Sequence, residues 1–239
     1  MRHPEVLELV QRFIRVPSVT GAEGEFALLL ADLLRDWGFD VDVDYVEEGR
    51  PNVVAKAGKG EPVLAFLCHT DTVRPWSSHE GAFTPRVEGG YLYGLGSADM
   101  KGPIAAVLVA ARGFLDAGEP SGTLLLAFAV DEEEDSAGAL RLVERGFRAE
   151  FTVVPEPTNL AICLQQLGYV EFSARVRGSP AHAACAHEGR NPLTAFLDAL
   201  RVADRRAGKE ACVTDARLGE GIYAVPPDAW VRFEVKVGL

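Results

Sequence analysis

The sequence predicts an α/β protein. A mixed, largely parallel sheet with flanking helices occupies residues 1–165, and a smaller, partial α+β module follows at 166–239. Three observations predict it. Short unbroken apolar runs at 63–68, 122–130 and 151–154 alternate with helix-period segments, as inner strands of a parallel sheet do. Each run stops on acids or imidazole: His69-Thr70-Asp71, Asp131 to Asp135, and Pro155-Glu156. After Cys163 the texture changes to strictly alternating strands around one amphipathic helix, the mark of a sheet with one wet face.

The elements follow in order. Residues 5–16 carry Val6, Leu9, Val10, Phe13 and Ile14 at the spacing of one helix face, and Pro17 ends the helix. Residues 23–37 form a second helix, with Phe26, Leu29, Leu30, Leu33 and Leu34 inward and Gly38 as its cap. Strands follow at 40–46, where Val41, Val43 and Tyr45 alternate with acids as on an edge strand, and at 52–56. The inner strand 62–68 comes next, then a polar surface loop, 74–90, broken by Pro75 and Pro85. Residues 91–93 are a short strand feeding a tight turn that presents Asp99 just before a helix at 103–115, where Pro103 suits the first turn. Gly94 and Gly96 lack the third glycine of a dinucleotide loop. A helix at 137–145 joins the strands 122–130 and 151–154. In the second module, strands at 169–177 and 230–237 flank a helix at 191–205.

Composition narrows the partners. A net charge of -11 argues against nucleic acid and anionic membrane surfaces. No apolar run approaches the ~20 residues of a spanning helix, and the amino-terminal stretch reads as a polar-faced helix and not a secretory signal. Cys68, Cys163, Cys185 and Cys212 form no Cys-x-x-Cys pair, as expected of free thiols in a cytoplasmic protein.

His69 and Asp71 lie two apart, so on extended backbone both side chains leave the same face. One can bind a metal while the other holds the ring's second nitrogen. Each polar cluster has an ordinary alternative: a hydrogen-bonded turn for His69-Thr70-Asp71, a solvated loop for 131–135, a loop histidine for His182. What favours a metal site is position. Imidazole and acids follow directly on core strands, at the carboxyl edge where open α/β sheets gather their function.

His69-Thr-Asp71-Thr-Val, Gly94-Leu-Gly-Ser-Ala-Asp99-Met-Lys-Gly, Asp131-Glu132-Glu133 and Pro155-Glu156-Pro-Thr occur in this order. Together they resemble the family of dinuclear zinc hydrolases that includes acetylornithine deacetylase, succinyl-diaminopimelate desuccinylase, aminoacylase and carboxypeptidase G. The narrower likeness is to acetylornithine deacetylase. The resemblance implies a zinc-exopeptidase-like catalytic domain, a ferredoxin-like lid through which two copies dimerise, and two zinc ions, with cobalt able to substitute. It implies hydrolysis of the amide bond of an N-acyl amino acid, or of a short peptide by a dipeptidase or carboxypeptidase using the same site. His69 and Glu156 resemble the first zinc's ligands, Asp99 the bridging ligand and Glu133 a ligand of the second. Asp71 resembles the carboxylate that orients His69, Glu132 the general base, and His182 the lid histidine that holds the substrate's carbonyl oxygen. A cis peptide after Asp99 is implied as well.

The sequence departs from the pattern in one respect. Family members run longer and supply a final histidine to the second zinc after the lid, whereas no histidine follows His187. His79 and His187 are the remaining imidazoles for that ion. The expectation is therefore an incomplete lid, a weak second zinc site, poor turnover, and an apolar sheet edge left open at 124–128 or at Val153.

Overall fold

In chain order, the first unit, Met1–Ile162, runs α1 (Pro4–Ile14), α2 (Gly24–Asp36), β1 (Asp40–Glu47), β2 (Arg50–His69), β3 (Arg86–Glu88), β4 (Tyr91–Tyr93), α3 (Lys101–Asp116), β5 (Ser121–Ala129), α4 (Ala137–Glu144) and β6 (Phe151–Val153). The second unit, Cys163–Leu239, contains β7 (Gly168–Arg177), a 3-10 turn (Ala183–Glu188), α5 (Pro192–Ala207), β8 (Ala211–Leu218) and β9 (Asp228–Val237). The structure is a computed structural model that describes residues 4–116, 118, 121–165, 168–207, 211–220 and 223–237. Residues 166–167, at the expected domain boundary, lie outside the described residues.

The two strands expected at 52–56 and 62–68 are arms of one continuous strand, β2, and β5 lies between them. Along the first arm the partners run in opposite senses, Val53 with Phe128 down to Gly58 with Thr123. Along the second they rise together, Val63 with Thr123 up to His69 with Ala129. Leu126 thus pairs with Ala55 on one side and Phe66 on the other. The chain wraps closely around the start of β5 to do this. Thr123 Oγ1 donates to the Gly60 carbonyl at 2.7 Å. Gly122, at φ +107°, has no room for a side chain, since a Cβ would lie 2.5 Å from the Pro62 carbonyl oxygen. β1 completes the antiparallel half on the outside of the first arm, and β6 pairs parallel with the second. The result is a mixed sheet.

This topology corrects one expectation. Residues 124–128 are the centre of the sheet, not an open edge, while Phe151 and Val153 on β6 are exposed. β5 is buried on both faces and sorts its side chains by size. Leu124, Leu126 and Phe128 join Phe13, Phe26, Leu30, Leu34, Ile104 and Leu108 from α1, α2 and α3. Ala127 and Ala129 face Leu142 of α4 on the other side. Each fully buried Phe or Leu contributes about 1.5–3 kcal/mol, so the large cluster dominates the stability of this unit. The small residues opposite let α4 come close: Gly138 would set a Cβ 2.4 Å from the Val130 carbonyl oxygen.

Two elements differ from expectation. β3 pairs with β4 across Gly89-Gly90, both at positive φ, the primed turn that suits a tight hairpin. β8 is exposed almost throughout and lacks the alternation that marks a half-buried strand. It pairs with β9 in an antiparallel sheet ordered β7-β9-β8, on which α5 packs Phe196 against Phe233 at 5.4 Å between ring centres. Among the described residues, no helix is long and apolar enough to cross a membrane.

Candidate metal centre

Three strand ends meet at one edge of the first unit's sheet. His69 closes β2 beside Ala129, and Thr70 N donates to the Ala129 carbonyl at 2.8 Å, bringing 70–72 alongside the start of the acidic loop. β6 runs parallel to the same arm, and Glu156 follows three residues after Val153. The fourth contribution, Asp99, comes from the turn between β4 and α3. That turn is tight: Gly96 sits at φ +76°, and a Cβ there would lie 2.8 Å from Thr72 Cγ2. The Asp99–Met100 peptide is cis, the form the resemblance implies.

His69 is buried, with Nε2 3.0 Å from Asp99 Oδ1 and 4.0 Å from Glu132 Oε2. Its Nδ1 lies 3.0 Å from the Asp71 backbone carbonyl and 3.4 Å from Asp71 Oδ1. The Asp71 carboxylate is engaged more closely elsewhere. Oδ1 accepts from the Glu132 amide at 3.1 Å, and Oδ2 from the Glu133 amide at 3.0 Å and Thr20 Oγ1 at 3.1 Å. One donor atom from each of His69, Asp99 and Glu133 lies within 4.8 Å of the others. Glu156 is not in that cluster; it stands close enough for its charge and that of Asp99 to act on each other.

The electrostatics are those of a cation site. Burial pulls the His69 pKa down, but hydrogen bonds to Asp71 and Asp99 outweigh it and raise the imidazole to about 10. Burial, with the negative charges of Asp99 and Glu132 overcoming the attraction of His69, pushes Glu156 up to about 7. Burial and the charge of Asp99 raise Glu133 too, whereas the His69 hydrogen bond holds Asp99 below the usual carboxylate range. Asp71, Asp99, Glu132, Glu133 and Glu156 thus crowd around one imidazole. A mixed imidazole and carboxylate set with surplus negative charge fits a divalent ion such as zinc.

A cavity of about 320 Å³ opens beside Asp99 and Glu133, lined also by Thr72, Gly96 and the imidazole-bearing His79. His187 lies in the 3-10 turn of the second unit. His182 precedes that turn, exposed, and its Nδ1 accepts from the Ala184 amide at 3.2 Å, which leaves the ring proton on Nε2. Lys101 has no role in the sequence reading, yet it is buried two residues after Asp99. Its Nζ donates to the Phe13 and Val16 carbonyls at 3.0 and 2.7 Å and lies 4.6 Å from the centre of the Phe26 ring, pinning the Asp99 turn to the end of α1. The only sequence signal for it is a lysine among the apolar residues that open α3.

The family model "Peptidase family M20/M25/M40" matches residues 65–232. Succinyl-diaminopimelate desuccinylase of Stenotrophomonas maltophilia (strain R551-3) is 37% identical over 93% of this chain and 60% of its own length. The enzyme of that name from Alkalilimnicola ehrlichii is 37% identical over 98% of this chain and 63% of its own. This chain therefore spans less than two thirds of either relative. Human carnosine dipeptidase 1 superposes with a TM-score of 0.73 at 15% identity, over 98% of this chain and 70% of that one. A tripeptidase of Staphylococcus aureus does so at 0.69 and 21% identity, over 99% and 66%. Motifs, fold and relatives agree: the chain belongs to peptidase family M20/M25/M40.

Proposed function

We propose that the protein is a zinc-dependent hydrolase that cleaves the amide bond of an N-acyl amino acid. The observation that carries this reading is the convergence of His69, Asp99 and Glu133 donor atoms within 4.8 Å, with Glu132 at the same strand ends. His69, Asp99 and Glu156 would hold one ion, and Asp99 with Glu133 would hold a second. A bound zinc ion supplies Lewis acidity, polarising the scissile carbonyl and lowering the pKa of water toward ~7. Glu132, whose side chain is about half exposed, takes the proton from the attacking water and passes it to the departing amine. Asp71 fixes the backbone from which Glu132 and Glu133 project. By resemblance, His182 is the residue that would hold the substrate's carbonyl oxygen as it becomes negative.

The desuccinylase relatives support acyl removal, and the likeness to acetylornithine deacetylase supports the same bond with a different acyl group. We take N-acyl amino acids as the substrate class, N-succinyl substrates first. The outer strands β7 and β8 leave open backbone edges, which suits a homodimer formed through the second unit. The cysteines Cys68, Cys163, Cys185 and Cys212 are unpaired, which suits the cytoplasm.

A panel of N-succinyl, N-acetyl and dipeptide substrates, with zinc or cobalt, tests the reading. Glu132→Gln is expected to keep its metal and lose about 10²–10⁴-fold in turnover. Full activity in that variant would move the proton to another group. Metal-loaded protein that cleaves no amide in the panel would end the reading.

A further inference from the structure

Arg50 opens β2, and its guanidinium joins three acids from three segments. Nε and Nη2 grip both oxygens of Glu23, at 2.9 and 2.7 Å, the bidentate fork that makes arginine pairs specific. Nη2 also donates to Asp131 Oδ1 at 2.6 Å, and Nη1 to Glu47 at 2.8 Å. Glu23 is fully buried and Asp131 nearly so, depths at which a carboxylate needs a partner.

Asp131 begins the acidic loop and stands at φ +69°, a conformation uncommon outside glycine. Its second oxygen accepts from the Asp135 and Ala137 amides at 3.3 and 3.2 Å, and its carbonyl from the Ser136 amide at 2.6 Å. The loop is therefore folded around Asp131, and Arg50 holds Asp131 from outside. On the site side, the same loop hangs by the Glu132 and Glu133 amides from Asp71. Asp71 is bonded in turn to Thr20, three residues before Glu23. The contacts close a ring: Arg50 to Glu23, along the turn to Thr20, to Asp71, to the amides of Glu132 and Glu133, to Asp131 and back to Arg50.

We propose that Arg50 is a positioning residue of the metal centre, setting through Asp131 the direction in which Glu132 and Glu133 leave the end of β5. The proposal rests on the roles given to Glu132 and Glu133 above. It differs from a plain structural ion pair in where the effect of removing Arg50 falls.

Zinc affinity of the 239-residue chain and amide hydrogen exchange, measured for wild type, Arg50→Met and Asp131→Asn, test it. Partners that orient metal ligands are typically worth 10–100-fold in affinity. Arg50→Met should lose about that much, with exchange at the Glu132 and Glu133 amides faster by about tenfold or more and the β5 amides at 124–127 unchanged. Asp131→Asn leaves the Arg50–Glu23 fork intact and tolerates the backbone conformation. It should shift the same two amides in the same direction, by less. Wild type that takes up no zinc would overturn the functional reading and this proposal with it. Zinc-binding wild type, matched by Arg50→Met in affinity and exchange, would overturn this proposal alone. So would protection lost equally across β5 and the loop.

Discussion

Replacing Asp71 with asparagine separates two tasks that a carboxylate beside a ligand histidine can perform. In the structure, Nδ1 of His69 is nearer the Asp71 backbone carbonyl, at 3.0 Å, than the carboxylate, at 3.4 Å. The carboxylate instead accepts three hydrogen bonds, two of them at Oδ2. An asparagine has one acceptor oxygen, best placed where Thr20 and the Glu133 amide converge. Its NH₂ then faces the Glu132 amide, another donor. A part-buried amide left without an acceptor costs about 1–3 kcal/mol, and two bonds losing their charge assistance add roughly 1 kcal/mol. The loss should be about 2–4 kcal/mol. At about 2–4 °C per kcal/mol, the melting temperature of the metal-free chain at pH 7 should fall by roughly 5–15 °C.

The effect should fade in acid. Burial would raise the Asp71 pKa, but the neighbouring His69 imidazole and hydrogen bonds from the Glu133 and Glu132 amides hold it below the usual carboxylate range. Its stabilisation is present above 3.8 and is lost as pH falls through the lower folded value, so wild type and variant converge there. Because the backbone carbonyl still holds the ring, zinc affinity should drop only about tenfold, the low end for an outer partner. A melting temperature within 1 °C of wild type would refute the bond assignment. Abolished zinc binding with the Glu132 and Glu133 amides still protected would show that the carboxylate serves the imidazole after all.

Two further outcomes follow from the same geometry. His69 and Glu156 have folded pKa values raised to about 10 and about 7, so their stabilisation is full below 6.5 and 4.5 and is lost as pH rises through the raised values. The metal-free chain should therefore lose stability steadily from about pH 5 to 10. Zinc binding should release protons at pH 7 and fewer at pH 9, measured by calorimetry in buffers of different ionisation enthalpy, and no release at pH 7 would contradict the assignment. Lys101→Met removes a cation from two carbonyls. Phe13 O keeps the Val16 amide at 3.1 Å, but Val16 O loses its 2.7 Å partner. Burial, which lowers the Lys101 pKa to about 8, offsets part of the lost bonding, so a net loss of about 1–2 kcal/mol is expected from the urea midpoint. A gain in stability would mean that burying the ammonium costs more than its bonds return.

The part of the fold legible in the sequence was the part written by local rules. Helix faces such as Phe26, Leu30 and Leu34 repeat at the helix period, and the runs ending at His69, Asp131 and Glu156 announce inner strands and their polar exits. What stayed hidden depended on distant partners. Arg50 follows a turn and looks like a surface residue. It is half-buried because Glu23 and Asp131, 27 and 81 positions away, bind it. The single strand β2 could not be told from two strands, because Gly58 and Gly60 read as a loop until β5 is placed between the arms. β8 has no apolar side to reveal it, being paired on one edge and exposed on both faces. At the site, the strand-end pattern singled out His69, Asp99 and Glu133, whose donor atoms the fold brings within 4.8 Å of one another. The preference of the Asp71 carboxylate for the loop amides over the imidazole was not legible, because it turns on differences of a few tenths of an ångström.

The central claim is that His69, Asp99, Glu133 and Glu156 form a centre for divalent cations. Equilibrium dialysis against zinc, with the bound metal counted per chain for wild type, His69→Ala and Asp99→Ala, tests it directly. Wild type should bind zinc tightly at pH 7.5. His69→Ala should lose the tight site, since among the described residues His69 is the one imidazole in the cluster. Asp99→Ala, which removes the carboxylate facing both His69 and Glu156, should lose it as well. Zinc bound equally by all three proteins, or by none, would contradict the account.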